Sequence, residues 1–202
     1  MEIHAGKVPS FDDPTRCYEG VAHELREGVT SPQHPFRLFT LATIGIDGFP
    51  EARTLVLREF DESQRRIEFH IDARSPKMEQ LRYDSRVTLL FNDVLSRWQL
   101  RIRGRAEIHH LDDVAEASWK TTRSTSRGNY ASPYPSGSII SDEEVWVPPK
   151  EIPDDAKEVS ANFVVARSYF QVLDIYMIRD SGHLRYKLQW QNNVWNLIRI
   201  AP

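Results

Sequence analysis

The chain has 202 residues, 40% of them hydrophobic, and a formal net charge of −3 at pH 7. That length suits one sizeable core rather than two domains. A slightly acidic balance with no apolar run of roughly 18 residues argues against a nucleic-acid or membrane partner. Cys17 is the only cysteine, so no internal disulfide can form and a reducing, cytoplasmic setting is expected.

Residues 1–12 read as a loose leader, with neither the basic run nor the apolar stretch of a signal peptide. Tyr18, Val21, Ala22 and Leu25 recur at helical spacing after "DDP", which predicts a helix over 13–27 that packs Cys17. From Phe36 the period changes to two. "FRLFTLATIGIDGFPEARTLVLREFDESQRRIEFHID" holds three strand-like runs, separated by Asp47-Gly48 and by "DESQ". "RVTLLFNDVLSRWQLRIRGRAEI" supplies two more. In the second of these, Trp98, Leu100, Ile102, Gly104, Ala106 and Ile108 share one face, while Gln99, Arg101, Arg103, Arg105 and Glu107 share the other.

Residues 111–122 are a helix candidate. Residues 124–160 are rich in Ser, Pro, Gly and Asp and read as one long loop within a single domain. Strand pattern resumes at "NFVVARSYFQVLDIYMI", "HLRYKLQW" and "VWNLIRI", with Asn192-Asn193 as a turn. Many short strands in hairpins, with few helices, predict a mainly β protein with flanking helices, built as an antiparallel barrel.

"HIDARSPKMEQL", residues 70–81, begins as a strand and ends as a helix. Ser75-Pro76 is a helix-start signal, a serine N-cap followed by proline in the first turn. Lys77 meets the positive end of the helix dipole, an unfavourable place for a cation unless an anion is held there too. A plain capped surface helix with a solvated lysine explains the same residues. Arg53 and Arg58 lie five residues apart, so strict alternation places them on opposite faces of their strand. Each is a surface arginine, or both serve a ligand at a strand end, at a bulge or through a second subunit.

"TLATIGIDGFPEARTLVLREFD", "FHIDARSPKMEQLRYDSRVTLLF", "WQLRIRGRAEI" and the terminal "HLRYKLQWQNNVWNLIRIAP" together resemble the pyridoxamine 5′-phosphate oxidase family, FMN-binding split β-barrels. The resemblance runs over residues 36–108 and 170–202 and is weak over 110–165. It implies an FMN-dependent oxidoreductase that transfers hydride from a small anionic substrate to the flavin. It implies FMN phosphate on Arg53, Ser75 and Lys77, and further flavin contacts from Arg58, Gln99, Tyr176 and Arg185. It also implies a homodimer with each flavin between two subunits. No protein nucleophile is implied.

This chain departs from the family pattern at several positions. Pro76 replaces an arginine before the lysine, and His70-Ile71 replace a Tyr-Thr pair. On the substrate side Arg58 stands for a Lys, Trp119 for a Tyr and Arg127 for a Ser. Arg123 and His183 match the pattern, while Ser181 replaces an arginine. Arg58, Arg123 and Arg127 are then either a cationic cluster for a phosphate or carboxylate, or a solvated basic helix end. Two alternatives keep the fold and change the function. One is a flavin binder without turnover, capped by the 124–160 loop. The other is a haem-binding split barrel with His183 or His70 as axial ligand. His109-His110 with Asp112-Asp113 has poor spacing for a metal, since adjacent strand residues point apart. No GxGxxG motif is present.

Overall fold

The computed structural model describes residues 6–202; the first five residues of the expected leader lie outside them. The remainder of that leader is not loose. Gly6 donates its amide to Asp93 and accepts from Ser96 Oγ (2.8 and 2.7 Å). Phe11 stacks on Tyr186, ring centroids 4.3 Å apart. The apolar residues Val8 and Phe11 pack against the core, which a leader read only by its polarity would not suggest.

Helix α1 spans Pro14–Thr30, one turn longer than expected. Asp13 caps it by accepting from the Arg16 amide at 2.9 Å, with proline in the first turn. Cys17, Val21, Ala22 and Leu25 form its buried stripe. Strands β1 (Leu38–Ile44) and β2 (Pro50–Val56) pair through a turn in which Gly48 takes φ +85°, a conformation that favours glycine.

The second of the three expected strand runs is split. It yields the whole of β2 and a short β3 (Glu59–Asp61), which pairs with β4 (Arg66–Asp72). The break falls after Leu57: it is fully buried and its amide still donates in register to Arg37 O at 2.9 Å, whereas the next amide, that of Arg58, turns to Glu68 O on β4 at 3.0 Å. Helix α2 is Pro76–Tyr83. Strands β5 (Arg86–Asp93) and β6 (Trp98–His109) follow, then helix α3 (Asp113–Thr121). Long strand β7 (Phe163–Met177) and the terminal hairpin of β8 (Leu184–Gln191) and β9 (Val194–Ile200) complete the chain. Asn192 and Asn193 turn that hairpin at φ 51° and 61°.

The sheet is antiparallel, in the order β2-β1-β5-β6-β7-β4-β3, with β8 and β9 added beside β7. One edge of β7 is shared. Its first half pairs with β4 and its second half with β8, so the barrel is split rather than closed. The β6–β7 register shifts at Arg103/Gly104, where Gln171 is the extra residue on β7. The core holds a run of aromatic contacts among Phe36, Phe39, Phe69, Phe91 and Trp98. The expected loop over 124–160 contains short helical turns at Ser124–Arg127, Gly128–Tyr130 and Lys157–Ser160. Tyr130 closes a second small core with Trp119, Phe163 and Val165.

Candidate functional site

Arg53 lies on edge strand β2 opposite Leu41, whose side chain is fully buried. Opposed residues share a face of a sheet, so Arg53 points to the core side, where α2 begins. Its guanidinium donates to Thr43 Oγ1 at 2.5 Å and to Gln80 Oε1 at 2.7 Å, and Thr43 donates to that same amide oxygen at 2.7 Å. Lys77 stands in the first turn of α2. Burial, then the charge of Arg53, holds its ammonium below the usual lysine range, with Asp72 opposing. Asp72 is itself gripped by Arg74 through 3.0 and 2.7 Å bonds. Two neighbouring cations therefore stand near the start of α2, where Asp72 is taken up by Arg74 and the half-exposed Glu51 reaches Arg53 only at 3.9 Å, an arrangement suited to a multiply charged anion.

Ser75 occupies the N-cap position but makes no side-chain cap. Its hydroxyl donates to Asp72 O at 2.7 Å in a turn that its own amide also closes, at 3.0 Å. A cavity of about 330 Å³ beside Lys77 is lined by Leu55, His70, Tyr130, Tyr134 and Trp146.

Arg58 is carried away from Arg53 by the break at Leu57 and enters a second cavity of about 640 Å³. Arg37 and Arg123 line it too. Burial lowers the affinity of Arg58 for its proton, Tyr130 opposing and Arg123 adding to the effect. Arg37 spends its donors on the carbonyls of Val29 and Leu57, at 2.7 and 3.1 Å. Among the described residues, the guanidinium groups of Arg58 and Arg123 have no hydrogen-bond or ion-pair partner.

Polar residues that the sequence did not single out also line this cavity. Glu68 is buried and accepts from Arg167 Nε at 3.0 Å. Its other oxygen lies 3.4 Å from His70 Nε2, and Ser118 Oγ lies 3.1 Å from the same nitrogen. Burial pushes the Glu68 carboxyl up, but the hydrogen bonds from His70 and Arg167 outweigh it and leave it below the usual range. His70 lines both cavities, and its Nδ1 is buried without a partner. The available signal was Glu68 and His70 at i, i+2 on one face of β4, beside Arg167 on the paired strand.

Three expected substrate residues are absent from the Arg58 cavity, His183 among them. Trp119 is buried and donates Nε1–H to Asp154 O at 2.7 Å. Arg127 is buried, lies over the Trp119 ring, and donates to the carbonyls of Trp119, Ile152 and Lys120 at 3.0–3.2 Å. Both hold the second core together. The cationic cluster is thus Arg58, Arg123 and Arg37, without Arg127.

Gln99, Tyr176 and Arg185 stand side by side on β6, β7 and β8. They occupy the face opposite buried Leu100, Ile175 and Leu188, and the His183 ring meets Tyr176 edge-on at 6.0 Å. The expected cofactor residues therefore fall into three places: Arg53 with Ser75 and Lys77 around the start of α2, Arg58 in its own cavity, and this row on the outer side. His109 and His110 diverge to Asp112 and to Ala161 O respectively.

Residues 21–110 match the family model described as "Pyridoxamine 5'-phosphate oxidase, FMN-binding domain". The chain is 35% identical over 113 residues to pyridoxine/pyridoxamine 5′-phosphate oxidase 2 of Arabidopsis thaliana, covering 52% of this chain and 56% of that protein. It is 30% identical over 119 residues to pyridoxine/pyridoxamine 5′-phosphate oxidase of Azorhizobium caulinodans, covering 59% and 53%. The matched region thus spans about half the length of these relatives. Among solved structures, a pyridoxamine 5′-phosphate oxidase-related, FMN-binding protein from Nostoc punctiforme superposes with a TM-score of 0.73 at 24% identity, covering 91% of this chain and 96% of that one. PhzG from Burkholderia lata, in complex with tetrahydrophenazine-1-carboxylic acid, gives 0.65 at 17% identity, covering 82% of each chain. These two likenesses bear out the split-barrel fold, and the family model bears out FMN as the cofactor. None of these likenesses favours the haem-binding or non-catalytic alternatives.

Proposed function

We propose, from the match of residues 21–110 to an FMN-binding domain of the pyridoxamine 5′-phosphate oxidase kind, that the chain is an FMN-dependent oxidoreductase acting on a small anionic substrate. One observation carries the reading: Lys77, with the charge of Arg53 beside it, borders one cavity, Arg58 and Arg123 border another, and His70 lines both. Arg53 and Lys77 hold the FMN phosphate. The buried, partnerless His70 Nδ1 marks a place where a bound group fits. Ser75 joins the phosphate only if its hydroxyl turns away from Asp72 O.

When bound, FMN supplies the acceptor for two electrons. Arg58 and Arg123 hold the anionic end of the substrate, helped by a partly desolvated setting in which each charge acts more strongly. Gln99, Tyr176 and Arg185 face outward and contact the flavin of a second copy, so the active unit is a homodimer. Pyridoxamine and pyridoxine 5′-phosphates, which the relatives' names specify, are the first substrates to offer.

The test is a visible absorption spectrum of the purified protein with mass spectrometry of the released ligand. The expected result is FMN near one per chain, with turnover of a phosphorylated vitamin B6 amine or alcohol. Arg53→Met and Lys77→Met should each weaken FMN roughly 10- to 100-fold, the loss of one charged hydrogen bond or two. A colourless protein that takes up no added FMN would sink the reading.

A further inference from the structure

His70 stands between the two cation-lined cavities, and its surroundings dictate which nitrogen can serve a ligand. Nε2 meets both the Glu68 carboxylate (3.4 Å) and Ser118 Oγ (3.1 Å). A serine–histidine–acid triad needs its serine and its acid on different ring nitrogens, so this arrangement is not one. Instead, a carboxylate that only accepts holds the proton on Nε2. Glu68 is itself fixed by Arg167 Nε at 3.0 Å, and the His70 ring sits edge-on against Phe163 at 4.6 Å. The orientation is therefore set from three elements: β4, α3 and β7.

The consequence falls on Nδ1, a bare lone pair that is buried and unpartnered. Burial holds the ring's affinity for a second proton below the usual histidine range. The Glu68 hydrogen bond opposes this and the neighbouring Arg58 charge supports it. A buried acceptor left without a donor is costly, so the site favours whatever supplies one. Glu68, Arg58, Ser118 and Phe163 surround the ring, Lys77 and Tyr130 line the smaller cavity with it, and none of them is hydrogen-bonded to Nδ1.

We propose that His70 Nδ1 accepts a hydrogen bond from a hydroxyl or amine of the ligand lying between the Lys77 and Arg58 cavities, and so selects for a protic group at that point. The proposal rests on the flavin and anionic-substrate reading above. Two molecules could carry such a group: FMN, through its ribityl hydroxyls, or the substrate, through an amine or alcohol.

The experiment uses full-length protein labelled with ¹⁵N-histidine, stripped of flavin and then titrated with FMN. Pyridoxamine 5′-phosphate is added next, under anaerobic conditions. The His70 ring signals are assigned with His70→Asn. On FMN addition, an upfield move of the bare nitrogen identifies a flavin hydroxyl as the donor. A move only on addition of the amine identifies the substrate. In either case His70→Phe should weaken that same ligand about 5- to 10-fold, the loss of one hydrogen bond. His70→Asn, whose amide oxygen can stand near Nδ1, should recover most of the affinity. FMN uptake with an unmoved His70 signal in both steps overturns the proposal alone. Failure to take up FMN overturns the flavin reading and this proposal with it.

Discussion

Arg185 grips Asp174 through two hydrogen bonds of 2.9 Å, and Arg101 reaches the same carboxylate at 2.5 Å. Asp174 is buried under these two side chains on the outer face of β7. Arg185 is thereby held in one orientation beside Tyr176 and Gln99. Asp174→Asn keeps the shape but removes the charge that holds the guanidinium. The expected outcome is an FMN affinity lowered about 3- to 10-fold, one charged hydrogen bond weakened rather than lost, read by flavin fluorescence quenching. Arg101→Met should change it less, since Arg101 lies one pair further along the strands. Equal losses in both variants would show that the carboxylate, and not Arg185, matters.

Two buried carboxylates predict acid sensitivity. For Asp174 and for Glu68, burial raises the pKa, but hydrogen bonds from Arg185 and Arg101, and from His70 and Arg167, bring it below the usual range. A group whose folded value is depressed stabilises the fold fully above its unfolded value, about 3.9 for Asp and 4.3 for Glu. That contribution is lost as pH falls through the folded value. The urea midpoint should hold steady down to about pH 5 and then decline. In Glu68→Gln/Asp174→Asn the acid decline should be shallower, whatever the neutral-pH stability. An unchanged slope would remove both groups from the account.

Arg127 and Arg123 separate stability from binding. Arg127→Met removes the hydrogen bonds to the carbonyls of Trp119, Lys120 and Ile152 and the packing over the Trp119 ring. It should destabilise by about 2–4 kcal/mol in urea denaturation. Arg123→Met touches no such contact. Its stability should stay within roughly 0.5 kcal/mol, while the KM for an anionic substrate rises. If Arg127→Met instead spared stability and raised KM, the side chain would belong to the substrate cavity.

Gly104 marks the β6–β7 bulge, and its reason is space. A Cβ there would lie 2.5 Å from Tyr169 O and 2.6 Å from Ser168 Oγ. The backbone oxygen cannot yield without moving the strand, so Gly104→Ala should cost about 1–3 kcal/mol, measured by urea denaturation. A neutral result would mean that β7 shifts freely at the bulge.

The strands and most turns were legible because burial on one face enforces a period of two, which β6 keeps from Trp98 to Ala106. Gly48 and the Asn192-Asn193 pair announced turns through their tolerance of positive φ. The break after Leu57 was invisible, since its apolar side chain continues the strand pattern while the next amide, that of Arg58, leaves β1 for Glu68 O on β4. Ser75 shows the same limit. Ser-Pro placed the helix start correctly, but the choice of the hydroxyl between the helix amide and Asp72 O depends on the turn before it.

By itself, then, the sequence determined a mainly β chain, an anion-suited strand-to-helix turn at Lys77 and the likeness of residues 21–110 to an FMN-binding domain. These follow from neighbours along the chain, whose spacing and chemistry are explicit. Only the tertiary structure decided which arginines remain available. Arg58 and Arg123 meet in one cavity, while Arg127 is consumed by the carbonyls of Trp119, Lys120 and Ile152. It also joined Glu68, His70, Ser118 and Arg167, drawn from β4, α3 and β7. A guanidinium has five donors and no sequence mark for where they go. Its use is settled by which carbonyls and carboxylates the packing of distant segments brings within 3 Å.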